Sequence, residues 1–174
     1  FACNGAECWK SYKSCVAAAK AGFTQVYWFR GGYPEWVARG LPTAVAVACA
    51  DPVLAEDVQR EFRASYFRLY ATTDVVGVEI GGALKNIIAI AAGVVEGLGL
   101  GQNALAALIT RGLAEITRLA CAVGARRETL AGLSGLGDLV LTCTGSLSRN
   151  RHVGVELAHG RPIAEVVAGM KMVA

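Results

Sequence analysis

Apolar residues recur along this chain with two periods, and the change from one to the other marks out its elements. Residues 43–49 (TAVAVAC) and 66–71 (YFRLYA) are short runs rich in β-branched or aromatic side chains, and each predicts a strand. Between them Asp51 and Pro52 form a helix opening, an N-cap followed by proline in the first turn, and residues 53–63 are amphipathic. Strand, helix and strand in this order predict a parallel, right-handed βαβ unit. Ahead of it, Phe1 and Ala2 read as a strand end, residues 11–21 as an alanine-rich helix stopped by Gly22, and TQVYWFR as a further strand.

From Asp74 the period becomes helical. Residues 74–103 (DVVGVEIGGALKNIIAIAAGVVEGLGLGQN) form an apolar, small-residue stretch around which the rest is arranged, with Lys85 and Asn86 inside it. At helical spacing Lys85 has Val78, Gly81, Gly82, Ile88, Ala89 and Ala92 as neighbours, a shallow face. Gly77, Gly81 and Gly82 each cost a helix about 1 kcal/mol relative to alanine, so they predict close approach of another backbone or a ligand. The plain alternative is a packed helix whose lysine snorkels to water. No membrane span is expected: the uninterrupted apolar run 87–95 is short of the roughly 20 residues required, and Glu79, Lys85 and Glu96 break the wider window.

Asn103 is placed to cap a helix over 104–123, whose apolar stripe is Leu105, Leu108, Ile109, Leu113, Ile116 and Leu119. Arg111, Glu115 and Arg118 are spaced for ion pairs on its outer face, and Gly124 ends it. A brief helix over 128–133 follows, then a glycine-rich turn leading to Asp138. Ser148 opens another helix, and Pro162 a last one.

Composition narrows the class. With 54% hydrophobic and 18% charged residues, the 174-residue chain is globular, and a net charge of +3 with scattered basic residues argues against nucleic acid. The six cysteines show no CxxC and no metal spacing with His152 or His159, which read as ordinary surface residues, so no metal is expected and the compartment is a reducing one, the cytoplasm. No signal peptide is visible at the start. Every Phe, Tyr and Trp lies at or before Tyr70, a bias that predicts joined segments with seams near Trp36 and Asp74. Unpaired sheet edges in such a chain invite association, with a homodimer as one outcome.

Two places carry candidate chemistry. Cys3 sits at a strand tip before a loop that opens a helix, where amide groups would stabilise a thiolate. Ser148, Arg149 and Asn150 begin a helix with amide N–H groups, a guanidinium fork and a carboxamide together, a set suited to phosphate; the bland alternative is a plain N-cap with solvated arginines. No G-x-G-x-x-G follows any strand; GLGLGQ at 97–102 fails at its last position.

Residues 1–36, through the loop CNGAECWKSYK and the strand and exit turn VYWFRGGYPEW, resemble the active-site region of rhodanese-like sulfurtransferases. That resemblance implies Cys3 as the persulfide carrier, with residues 4–10 cradling the sulfur. Residues 37–174, through GVEIGGALKNIIAIAAGVVEGLGLGQNALAALITRGLAEI and GLSGLGDLVLTCTGSLSRNR, closely resemble the bacterial NAD(P)-dependent glycerol-3-phosphate dehydrogenases. The resemblance implies an α/β remnant with short parallel strands over 37–73, the last βαβ part of a Rossmann-type cofactor domain. It implies a mainly α-helical substrate domain of the 6-phosphogluconate dehydrogenase C-terminal-like type over 74–174. Lys85 would be the catalytic acid/base, and Lys85, Asn86, Asp138, Ser148, Arg149 and Asn150 would surround glycerol 3-phosphate or dihydroxyacetone phosphate. Arg149 and Val173 would reach the NAD or NADP cofactor, in a reaction that serves glycerophospholipid synthesis.

The residue types suit that chemistry. Reducing a ketone puts negative charge on its oxygen, and an ammonium that donates its proton stabilises it. Small apolar neighbours disfavour the charged form of Lys85, whereas a carboxylate such as Asp138 favours it. Because the glycine fingerprint is absent from this sequence, hydride transfer by this chain alone is not expected. The alternatives are a sulfurtransferase using Cys3 and a non-catalytic helical module.

Overall fold

The computed structural model describes residues 43–64 and 67–168. Contacts divide the chain into two compact units, residues 1–43 and 44–174. Readings made for 1–42, Cys3 among them, and for Val173 lie outside the described residues.

Strand β1 (Thr43–Ala48) and strand β2 (Phe67–Thr72) form a short parallel sheet, joined by helix α1 (Pro52–Phe62). The predicted opening of α1 is formed: the Asp51 carboxylate accepts from the amides of Val53 and Leu54 at 2.9 and 3.4 Å. Ala55 is buried, and Gln59 Nε2 donates to the Leu69 carbonyl at 2.6 Å, which fastens α1 to β2.

The helical part is built on α2 (Val75–Gly97). Around it lie α3 (Gly101–Ala122), α4 (Arg127–Ala131), a π-helical turn (Leu133–Gly137), α5 (Asp138–Thr144), α6 (Arg149–Ala158) and α7 (Ile163–Ala168). Helix α2 touches α3, α4, the π turn, α5 and α6. Its Ala89 and Ala92 are buried against Ile116 and Ala120 of α3, Leu130 of α4, and Leu139 and Cys143 of α5. By length and mean hydropathy α2 meets the requirement for a membrane span. Here it is the helix on which the others pack.

Three expectations are corrected. Asn103 is not the cap of α3, which begins at Gly101 with no side-chain cap bond. Positive φ at Gly99 and Gly101 turns the chain sharply, leaving Asn103 exposed in the first turn. Leu119 is 51% exposed, and Ala120 takes its place in the core, because the stripe continues from Ile116 in a step of four. On the outer face Arg111 and Glu115 pair at 3.8 Å, but among the described residues Arg118 joins no ion pair. Gly124, at φ +98, ends α3 as expected: its amide bonds the Cys121 carbonyl at 3.1 Å and the Ala125 amide bonds Ala120 at 2.9 Å.

Candidate functional site

The site is assembled by two close approaches to α2. The first is at Gly81, one turn before Lys85. A Cβ there would lie 2.6 Å from the Ser134 carbonyl oxygen, so only glycine lets the π turn rest on the helix. Gly135 within that turn is held as tightly, its missing Cβ 2.0 Å from the Leu130 carbonyl oxygen. The turn ends at Asp138, and the Lys85 ammonium donates to an Asp138 carboxylate oxygen. Both side chains are partly exposed, which leaves the pair accessible from water.

The second approach is the crossing of α6 over α2. Gly93 faces the carbonyl of Arg151, and Gly154 faces the carbonyl of Ile90, each missing Cβ only 1.9 Å from that oxygen. One turn on, Gly97 faces Ala158. This contact brings Asn150 to Asn86, with Asn150 Nδ2 donating to Asn86 Oδ1 at 2.8 Å and Asn150 buried. Arg151 Nη2 pairs with Glu96 Oε1 at 2.5 Å across the same crossing.

Four predicted residues therefore meet in two pairs, Lys85 with Asp138 and Asn86 with Asn150, across three helices. Ser148 and Arg149 stand at the start of α6 beside Asn150. Ser148 is its N-cap, accepting from the Arg151 amide at 3.3 Å. Arg149 is exposed, and among the described residues it forms no ion pair. Of the three glycines expected to mark close approach of a backbone or ligand, Gly81 meets the Ser134 carbonyl, Gly77 meets only the side chains of Asp74 and Thr129, and a Cβ on Gly82 would meet nothing within 4 Å. Sequence reasoning missed Gly93 and Gly154, although their helical registers with Gly97 and Ala158 were there to be read.

Asp74 was also read only as the start of a stretch, yet it ties the site's frame together. Its carboxylate caps α2 through the Gly77 amide at 2.9 Å and accepts from the Arg126 amide at 2.8 Å. The Arg126 guanidinium reaches back to the hydroxyls of Thr72 and Thr73 at 2.9 and 3.1 Å. Burial works against the charge of Asp74. Hydrogen bonds from Thr129, Arg126 and Gly77, with the Arg126 charge, outweigh it and hold the pKa below the ordinary carboxylate value.

A separate cavity of about 540 Å³ lies between the strands, at Ala44, Ala46 and Tyr70, and the segment carrying Thr129, Ser134 and Leu136. Neither Lys85 nor Asp138 lines it. Among the described residues no three His, Cys, Asp or Glu side chains come together to hold a metal. What these residues offer chemically is an ammonium held by a carboxylate, a pair of hydrogen-bonded carboxamides, and an exposed guanidinium at a helix start.

Comparison with known proteins shows the family of the chain. Residues 74–174 match the family described as NAD-dependent glycerol-3-phosphate dehydrogenase C-terminus. The chain is 65% identical over 139 residues to the glycerol-3-phosphate dehydrogenase [NAD(P)+] of Koribacter versatilis, covering 80% of this chain and 41% of the relative. It is 63% identical over 134 residues to that of Geobacter sulfurreducens, covering 77% and 40%. The crystal structure of the Coxiella burnetii glycerol-3-phosphate dehydrogenase superposes with a TM-score of 0.75 at 46% identity, covering 80% of this chain and 43% of that one. The enzyme of Saccharomyces cerevisiae gives 0.70 at 32% identity, covering 80% and 42%. The chain thus spans about two fifths of the length of the curated relatives it matches.

Proposed function

The chain belongs to the family of the NAD-dependent glycerol-3-phosphate dehydrogenase C-terminus, and from that premise we propose that its helical part is the substrate-binding half of such an enzyme. The reaction is the interconversion of dihydroxyacetone phosphate and sn-glycerol 3-phosphate with NAD or NADP. The observation that carries the reading is the meeting of Lys85 with Asp138 beside that of Asn86 with Asn150.

In this reading the Lys85 ammonium faces the substrate's carbonyl oxygen and gives it a proton as negative charge develops there. Asp138 accepts from the ammonium and keeps it aimed, leaving its other N–H groups for the substrate. Asn86 and Asn150 bind the substrate's hydroxyl groups through their remaining amide donors and acceptors. Arg149 with the first amides of α6 takes the phosphate, an ester whose charge matches a guanidinium fork and a helix start. A bound nicotinamide cofactor supplies or accepts the hydride. The exposed Arg149 guanidinium fits the anionic part of such a cofactor, while no glycine-rich phosphate turn follows either strand, so the described residues form one side of that site.

The reading extends to residues 37–73 as the last βαβ part of a Rossmann-type domain. Residues 74–174 follow as a helical domain of the 6-phosphogluconate dehydrogenase C-terminal-like type. It also extends to a cytoplasmic homodimer serving glycerophospholipid synthesis. For residues 1–36 the sulfurtransferase-like loop is a separate proposal, tested by cyanide-dependent thiocyanate formation and its loss in Cys3→Ser.

Because hydride transfer by this chain alone is not expected, the test is binding. Titration calorimetry with sn-glycerol 3-phosphate is expected to give saturable binding that weakens at least about tenfold, or about 1.4 kcal/mol, in Lys85→Ala and in Arg149→Ala. Absence of binding to the unaltered chain overturns the proposal.

A further inference from the structure

The crossing of α6 on α2 rests on backbone, and we infer that it is the element that sets the length of phosphate ester the site accepts. The inference rests on the functional reading above. A Cβ on Gly154 would meet the Ile90 carbonyl oxygen at 1.9 Å and the Gly93 Cα at 2.9 Å. One on Gly93 would meet the Arg151 carbonyl oxygen at 1.9 Å and the Gly154 Cα at 2.9 Å. These partners are main chain and cannot swing aside as a flexible side chain can. Helix axes pack roughly 8–10 Å apart according to the side chains at the contact, and a glycine-on-glycine crossing holds them at the short end.

The same two helices carry the two ends of the proposed substrate. Lys85 and Asn86 lie on α2; Ser148, Arg149 and Asn150 lie at the start of α6. The residue that presses on Gly93 is Arg151, in the same turn as Arg149, so the contact lies within one turn of the anion grip. Two polar bonds flank the crossing and draw the helices together: Asn150 to Asn86 at 2.8 Å on one side, and Arg151 to Glu96 at 2.5 Å on the other. The separation of the two backbones that carry the ammonium and the grip is therefore fixed by main-chain contact. Gly93, Gly154, Arg151 and Glu96 are positioning residues. A methyl at the crossing would part the helices by on the order of 1 Å. That is comparable with the roughly 1.5 Å that one more carbon–carbon bond adds to a ligand.

The test is titration of the full chain with sn-glycerol 3-phosphate, with erythritol 4-phosphate as the ester one carbon longer, and with inorganic phosphate. The unaltered chain is expected to prefer the three-carbon ester. In Gly154→Ala that preference narrows at least about tenfold or reverses, while affinity for inorganic phosphate is kept. Gly82→Ala, at a position with nothing within 4 Å, keeps the original preference. A general loosening of the fold would lower both esters by one factor, so an unchanged ratio in Gly154→Ala overturns the inference. If Gly154→Ala does not fold by circular dichroism, Arg151→Met and Glu96→Gln replace it: they are expected to narrow the ratio, Arg151→Lys to restore it, and an unchanged ratio in both overturns the inference. If the unaltered chain binds neither ester, the functional reading falls and this inference with it. Binding with a ratio that no variant moves removes the inference alone.

Discussion

The Lys85 ammonium donates to an Asp138 carboxylate oxygen across 53 residues of sequence, joining the middle of α2 to the first residue of α5. With side chains 24% and 34% exposed, the pair is reached by water, and such pairs contribute no more than about 1 kcal/mol to stability. Lys85→Met and Asp138→Asn are therefore expected to shift the urea unfolding free energy by less than about 1 kcal/mol each. Binding of sn-glycerol 3-phosphate by Lys85→Met is expected to fall at least about tenfold. A stability loss of several kcal/mol would instead make the pair a structural one.

Adjacent glycines on α2 give opposite expectations. At Gly81 an added Cβ would sit 2.6 Å from the Ser134 carbonyl oxygen, so Gly81→Ala must displace the π turn and should cost about 1–3 kcal/mol. At Gly82 the space is open and the helix continues on both sides, so Gly82→Ala should stabilise by up to about 1 kcal/mol. Urea midpoints of the two variants, measured side by side, check both signs.

Which features were legible follows the range of the interactions that make them. The caps at Asp51 and Ser148 and the stop at Gly124 are set within a few residues, and each could be read from the sequence. Asn103 misled because two positive-φ glycines start α3 early, a backbone choice its own side chain does not control. Periodicity alone could not say that Gly93 and Gly154 would face each other, since that depends on which helix faces meet. The role of Asp74 is not legible in the sequence, because its partners Arg126 and Thr129 arrive from beyond α3. Lys85 and Asp138 came into view together only through the family resemblance.

The anchoring role of Asp74 has a pH signature. Burial opposes its charge, but hydrogen bonds from Thr129, Arg126 and Gly77, with the Arg126 charge, hold the folded pKa below the ordinary 3.8. A carboxyl with a depressed folded pKa contributes stability that is present above about pH 4 and lost as pH falls through the folded value. Asp74→Asn should therefore cost about 1–2 kcal/mol at neutral pH and flatten the acid limb of the stability curve below about pH 4. Urea melts of both proteins between pH 3 and 7 check this; parallel acid limbs would remove Asp74 from the account.

Cys143 predicts the opposite limb. Its thiol is 1% exposed in the core beneath α2, and burial pushes its pKa up from 9.0 to about 11. The unfolded chain then gives up this proton at lower pH than the folded one. The contribution is full below about pH 9 and is lost as pH rises toward 11, a change of up to about 3 kcal/mol. Cys143→Ala should remove that part of the alkaline loss, while costing about 1 kcal/mol at pH 7 for the vacated volume. In the unaltered chain Cys49 and Cys121, both half-buried, should be alkylated at pH 8 before Cys143. Peptide mapping after timed iodoacetamide treatment gives the order of reaction, and early labelling of Cys143 would mean that the core under α2 opens faster than its packing allows.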